Sequence, residues 1–238
     1  MNRTKAAAIH LGLSILIGAI VFLWLHRVWY PSGLFTLTGG ISLLKILLSV
    51  DIVLGPLITL IIFNTQKKSL RFDLSCIAIL QMAALAYGVY TMWLARPVWI
   101  AYVNEHFEVV SVPKIIGNIK GSAMHQKLPI WGPKLIGVIP EKKLRGQFDV
   151  EVGLGAGALL SSFTQGWQPY EKVKNEVMQK GQSLKELSKK QASLSQKLQQ
   201  RYGGNASTLR VFPLLGGLND ALILIDSTSG EWVEIINL

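Results

Sequence analysis

Three long apolar runs near the start of the chain restrict its fold more than any other feature. Residues 6–25 contain no Asp, Glu, Lys or Arg, residues 41–63 only Lys45 and Asp51, and residues 74–94 none. Each run is close to the roughly 20 residues a helix needs to cross the hydrocarbon core. A cleaved signal peptide is the rival reading of the first run, with Arg3 and Lys5 as its basic lead. That run is long for such a segment, and the residues after it, Trp24-Leu25-His26-Arg27-Val28-Trp29, offer no small-x-small cleavage site, so an uncleaved anchor is expected. The expected fold class is an α-helical membrane protein, with three N-terminal transmembrane helices plus a C-terminal α+β soluble domain. The boundary falls where charged residues begin to recur, giving a membrane domain at 1–96 and a soluble domain at 97–238.

Charge sets the expected orientation. The chain of 238 residues is 50% hydrophobic and only 16% charged, too little charge for an ordinary soluble surface. Its net charge of +10 is uneven. Eight bases (Arg3, Lys5, Arg27, Lys45, Lys67, Lys68, Arg71, Arg96) face two acids (Asp51, Asp73) before residue 97, and sixteen face twelve after it. The excess therefore flanks the apolar runs, where it sets topology, and nucleic-acid binding is not expected. Arg3, Lys5, Lys67, Lys68 and Arg71 are the topology determinants: with the N-terminus inside they are all cytoplasmic, and three crossings place the soluble domain outside. Trp24, Trp29, Tyr30, Tyr90, Trp93 and Trp99 then fall at the outer boundary as an aromatic belt. Ser14 and Gly18 form a small-xxx-small pair that permits close helix approach.

Asp51 lies about ten residues into the second run, near the bilayer middle at about 1.5 Å per residue. A carboxylate there costs roughly 2.5–3.5 kcal/mol on insertion scales, so it must face protein or water. Lys45 is not in register to pair with it and can snorkel to the outer end. Pro56 lacks an N–H and would orphan the carbonyl of Ile52, predicting a kink one turn below Asp51. Gly55 allows close approach. Asp51, Gly55 and Pro56 together are candidate partner-docking residues. Two other readings stay open: a protonated Asp51 bonded internally to Gln81, and ion or proton transport.

In the soluble part, residues 98–103, 107–112, 134–139, 221–225 and 232–236 read as strands. A helix is expected from Pro169 to about Lys180. Ser183-Leu184-Lys185-Glu186 is a capping box that opens a second one, running to about Tyr202. Its stripe Leu184, Leu187, Leu194 and Leu198 suits an amphipathic helix lying on a sheet. Chemistry is sparse. His10, His26, His106 and His125 have no metal-ligand spacing, and the one cysteine, Cys76, sits within the third run. Gly153-Leu154-Gly155-Ala156-Gly157 lacks the Lys-Ser/Thr of a phosphate loop and reads as a mobile turn. No catalytic residue, cofactor or metal site is expected.

The stretch 49–64 (Ser49-Val50-Asp51 through Gly55-Pro56 to Phe63-Asn64) resembles the second span of the type IV pilin accessory proteins of the TfpX/TfpZ type. So do Lys67-Lys68-Ser69-Leu70-Arg71-Phe72-Asp73-Leu74, Gln81, Ala86-Tyr87-Gly88, Tyr90 and Ala95-Arg96-Pro97. Further matches are Phe107-Glu108-Val109-Val110, Leu128-Pro129-Ile130-Trp131-Gly132-Pro133 and Ser227-Thr228-Ser229-Gly230-Glu231. The likeness is dense over 41–112 and patchy after about Gly146. It implies a non-enzymatic protein of a Gram-negative inner membrane, with its N-terminus cytoplasmic and its soluble domain periplasmic. It also implies partners: a cognate type IV pilin, whose apolar helix carries a glutamate and an N-terminal amine, and other pilus machinery beside the lipid bilayer. Gly33-Leu34-Phe35-Thr36-Leu37 looks like a prepilin cleavage site but lacks the following glutamate and lies between two spans, so it is expected to be a flexible connector. The alternative function is a membrane-anchored sensor or ligand-binding protein, which would need a cytoplasmic output element that a short tail and one loop do not supply.

Overall fold

The computed structural model describes residues 2–117, 127–139 and 159–238, which divide into two compact units. His125 and the Gly153–Gly157 stretch lie outside the described residues. The first unit comprises 1–29 and 39–95, the second 30–38 and 96–238.

Among the described residues, three helices are long and apolar enough to cross a membrane: Arg3–Val28, Gly40–Ile62 and Leu70–Ala95. The first is α1, whose Asn2 side chain caps it by accepting from the Lys5 amide. The second is composite: α3 (Gly40–Ser49), a π-helical turn (Val50–Leu54) and α4 (Gly55–Ile62). The third is α5 (Leu70–Ala95). A surface apolar on all sides suits lipid, and the most exposed apolar side chains here include Ile46, Phe72, Ile79 and Leu80. The pair Ser14 and Gly18 is buried, and a Cβ at Gly18 would meet the methyls of Leu48 at 3.1 Å, so small residues bring α1 against the second span.

In the second unit, one mixed sheet has the order β4-β3-β1-β2-β6-β7-β8 among the described residues, with β5 also pairing with β6. The strands are β1 Pro97–Val103, β2 His106–Ser111, β3 Lys134–Val138, β4 Trp167–Pro169, β5 Gln182–Ser183, β6 Leu209–Leu215, β7 Ala221–Asp226 and β8 Trp232–Asn237. β1 is buried on both faces. Ile100 and Tyr102 join Phe107, Phe212 and Ile223 on one side, while Trp99, Ala101 and Val103 join Val110, Ile136 and Trp167 on the other. That alternation is the period of two that a strand imposes. Helix α6 (Glu171–Lys180) covers the first side through Val173 and Val177. Helices α7 (Leu184–Lys190) and α8 (Ala192–Tyr202) cover the other side of β6 and β7 through Leu184, Leu187 and Leu198.

Four sequence expectations change. The helix expected over 183–202 is two, broken at Gln191 (φ −140°), and the turn is closed by Ser195 Oγ donating to the carbonyl of Leu184 at 2.8 Å. Strand β6 is added. Pro213 argues against a strand, yet it pairs with Leu222 on one side, and on the other it falls between the positions in register with β5 (210–211) and β2 (214–215). The segment 33–38 is no flexible connector. It forms α2 (Leu34–Leu37), with Leu34 and Leu37 fully buried in the core of the second unit. Tyr30 and Trp99 are not belt residues, because both are buried in that unit, Trp99 edge-on to Trp167 at 5.8 Å. Trp24, Trp29 and Trp93 do cluster, with tilted rings whose centroids are 4.6 and 5.0 Å apart.

Candidate functional site

The site begins with what Pro56 cannot do. In the π turn before it, the amide of Gly55 donates to the carbonyl of Val50, five residues back. In that widened register the next donor, which would serve the carbonyl of Asp51, is residue 56, and proline has none. The carbonyl of Asp51 is therefore left without its helical donor. A buried carbonyl left unpaired in hydrocarbon is costly, and Gln81 of α5 satisfies it, with Nε2 donating at 3.2 Å. To reach that carbonyl, the Gln81 amide passes across Gly55, where any Cβ would collide with it.

Gln81 then turns its other end outward into a polar chain. Its Oε1 lies 2.8 Å from His10 Nε2, and His10 Nδ1 lies 2.6 Å from Thr59 Oγ1. The amide oxygen can only accept, so Nε2 carries the imidazole proton. In the neutral ring Nδ1 accordingly accepts from the Thr59 hydroxyl. Three spans are thus joined by one directed chain: Thr59 to His10, His10 to Gln81, Gln81 to the Asp51 carbonyl.

The Asp51 carboxyl group also meets the Gln81 side chain, through one of its two oxygens. The residue is 7% exposed, and its Oδ1 is buried without a hydrogen-bond partner. It lines a cavity of about 170 Å³ together with His10, Ser14, Gln81, Met82 and Leu85. Of the residues singled out from sequence, Asp51 faces this cavity, Gly55 is packed beneath Gln81, and Pro56 is buried and creates the need for Gln81. Gln81 does meet Asp51, through the backbone carbonyl and through the side chain. Sequence reasoning did not assign His10 or Thr59 to the site. A histidine within an otherwise uncharged span was the available signal. The topology determinants Arg3, Lys5, Lys67, Lys68 and Arg71 are all exposed. They lie towards one end of the helical unit: His10 meets Thr59 while Gly18 faces Leu48 and Ile52, so α1 and the second span run antiparallel.

Among the described residues of the second unit, one acid is buried, with partners from two elements. Glu108 on β2 is 3% exposed, accepts the amide of Ser161 at 2.9 Å and bonds His106 Nε2 at 3.0 Å. The hydrogen bond to Glu108 raises the His106 pKa, against the lowering effect of burial. Among the described residues, no group of three or more His, Cys, Asp or Glu is placed to hold a metal.

These features define a membrane-associated protein: three apolar helices with a polar centre, carrying a mixed-sheet domain. No protein-family model matches the chain, and no solved structure matches it significantly. It is 26% identical over 241 residues to a fimbrial assembly protein of serogroup I of Dichelobacter nodosus, covering 98% of this chain and 90% of that one. The serogroup E1 fimbrial assembly protein of the same organism is 25% identical over 241 residues. The protein of serogroups C1 and C2 is 32% identical over 127 residues, which is 52% of this chain and 91% of that relative. The chain belongs to the family of fimbrial assembly proteins.

Proposed function

We propose that this chain is a non-enzymatic accessory factor for type IV pili of the pilin-accessory (TfpX/TfpZ) type, seated in a Gram-negative inner membrane with its sheet domain in the periplasm. It assists the assembly or modulates the dynamics of a cognate pilin. The observation that carries this reading is the similarity to fimbrial assembly proteins along nearly the whole chain. The intramembrane cluster supplies a means. Lipid tails solvate apolar helix surface as well as another helix does, so selective capture within a bilayer needs close packing or a polar contact. Asp51 Oδ1, buried and unpartnered beside a cavity of about 170 Å³, is such a contact in waiting for a polar group on an apolar helix.

Photocrosslinkers placed in the spans test this reading. Leu13 and Met82 border the cavity, and Leu54 and Ile58 flank the Gly55–Pro56 step; all four are exposed. Probes there should capture the cognate pilin, whereas probes at the exposed Ile15 and Leu80, about 200° around their helices from Leu13 and Met82, should not. Asp51→Leu should insert at least as well, because the burial penalty is gone, while piliation falls. Crosslinks arising only from the sheet domain, with normal piliation by Asp51→Leu, would move recognition out of the membrane.

A further inference from the structure

Two turns of the second unit leave large apolar side chains uncovered at the end of the sheet where the chain emerges from α5. The turn before β3 presents Ile130 and Trp131, 57% and 72% exposed, and the turn between β6 and β7 presents Leu218, 73% exposed. Register places both at that end. β1 begins at Pro97, two residues after α5 stops at Ala95, and β3 runs parallel to it with Lys134 opposite Trp99. The turn at 127–133 therefore lies beside the start of β1. β2 ends at Ser111, opposite Pro97, and β6 runs parallel to β2 with Leu215 opposite Glu108. The turn after β6 continues in the same direction, and a Cβ on Gly216 would stand 2.8 Å from the carbonyl oxygen of Val109.

Each turn is also tied to a residue close to a membrane-crossing helix. Arg96, the residue after α5, donates from Nη2 to the carbonyl of Pro129 at 3.2 Å. Leu218 donates its amide to the carbonyl of Leu37 at 2.7 Å, and Leu37 is three residues before the start of α3. Both turns are thus bonded to residues that stand, along the chain, within three positions of a membrane-crossing helix. Charge agrees with the geometry. Lys127 and Lys134 flank the Trp131 turn, and Lys114 Nζ donates to the carbonyl of Gly216 at 2.9 Å. No acidic residue occurs in sequence between Glu108 and Glu141, and Asp220 is the one acid in either turn. Tryptophan with flanking lysines is the combination that partitions to the headgroup layer, where the indole has both apolar and polar neighbours and anionic lipids attract the bases.

We propose that these two turns form an interfacial lipid anchor. Trp131, with Ile130, and Leu218 enter the headgroup layer of the leaflet on the second unit's side and hold the sheet domain against the bilayer. The full chain in nanodiscs of phosphatidylethanolamine and phosphatidylglycerol tests this. In a Cys76→Ser background, which removes the exposed native thiol, single cysteines at Trp131, Leu218 or Ser229 would carry an environment-sensitive fluorophore. Ser229 is exposed in the β7–β8 turn at the opposite end of those strands. Lipids spin-labelled near the headgroup should quench positions 131 and 218 several-fold more than 229, with blue-shifted emission at both. Equal lipid quenching at all three, or quenching of 131 and 218 by aqueous iodide to the extent seen at 229, would overturn the anchor. Shielding of 131 and 218 from both quenchers would overturn it too, because protein would then cover the turns.

Discussion

A methyl group at position 55 has nowhere to go, since the Gln81 amide lies across Gly55 to reach the Asp51 carbonyl. Gly55→Ala should displace Gln81, break its contact with His10 and destabilise the helical unit by about 2 kcal/mol, the usual scale of overpacking. A thermal melt of the detergent-solubilised chain measures it, and Gln81→Ala in the same background should restore part of the loss by removing the obstruction. The His106–Glu108 pair makes a second single-residue test. The hydrogen bond to Glu108 holds the His106 pKa above its unfolded value of about 6.5. The charged imidazole is therefore favoured in the folded state. Its contribution is full below about pH 6.5 and is lost as pH rises through the folded value. Melting temperature should accordingly fall from mildly acidic to mildly basic pH, and Glu108→Gln should flatten that fall. Equal slopes for the two proteins would deny the pair any role.

Helix α2 shows how an element can be claimed by a core distant in sequence. Gly33 stands at φ +79°, a conformation that L residues with a Cβ adopt only at a cost, and its added Cβ would meet the backbone oxygen of Ile235 at 2.7 Å. Asn237 Nδ2 donates to the Gly33 carbonyl at 3.2 Å, so the C-terminal strand and the first inter-span loop fix each other. Gly33→Ala should destabilise the second unit by at least about 1 kcal/mol through the left-handed backbone alone. Deuterium uptake should rise in both 33–38 and β8. Uptake confined to 33–38 would mean that the loop is a passenger. Helices α7 and α8 tell the complementary story. The capping box at Ser183 and Glu186 was legible because it is local, and both of its hydrogen bonds form. The break at Gln191 was not, since no glycine or proline marks it; it is set by Ser195 reaching Leu184 and by the leucines docking on β6 and β7.

At the scale of the whole molecule, orientation across the bilayer follows from charge. Arg3, Lys5, Lys67, Lys68 and Arg71 share one end of the helical unit, and retention of bases on the cytoplasmic side gives the proposed topology. A phosphatase reporter fused after Leu238 should be active and one fused after Gln66 inactive; the reverse pattern would sink both the periplasmic placement and the pilus reading. The sequence by itself determined the three spans, five of the eight strands among the described residues and the acidic residue inside the membrane. Hydrophobic length, period-two alternation and burial cost act on neighbours along the chain. Only the tertiary structure decided that His10 and Thr59 join Gln81, that Asp51 keeps a carboxylate oxygen for the cavity, and that residues 30–38 belong to the sheet domain. Those outcomes depend on which groups are left without partners once helices and strands have formed. An orphaned carbonyl at Asp51 or an uncovered core beside β8 is satisfied by whatever the packing brings within 3 Å or so, wherever it lies in sequence.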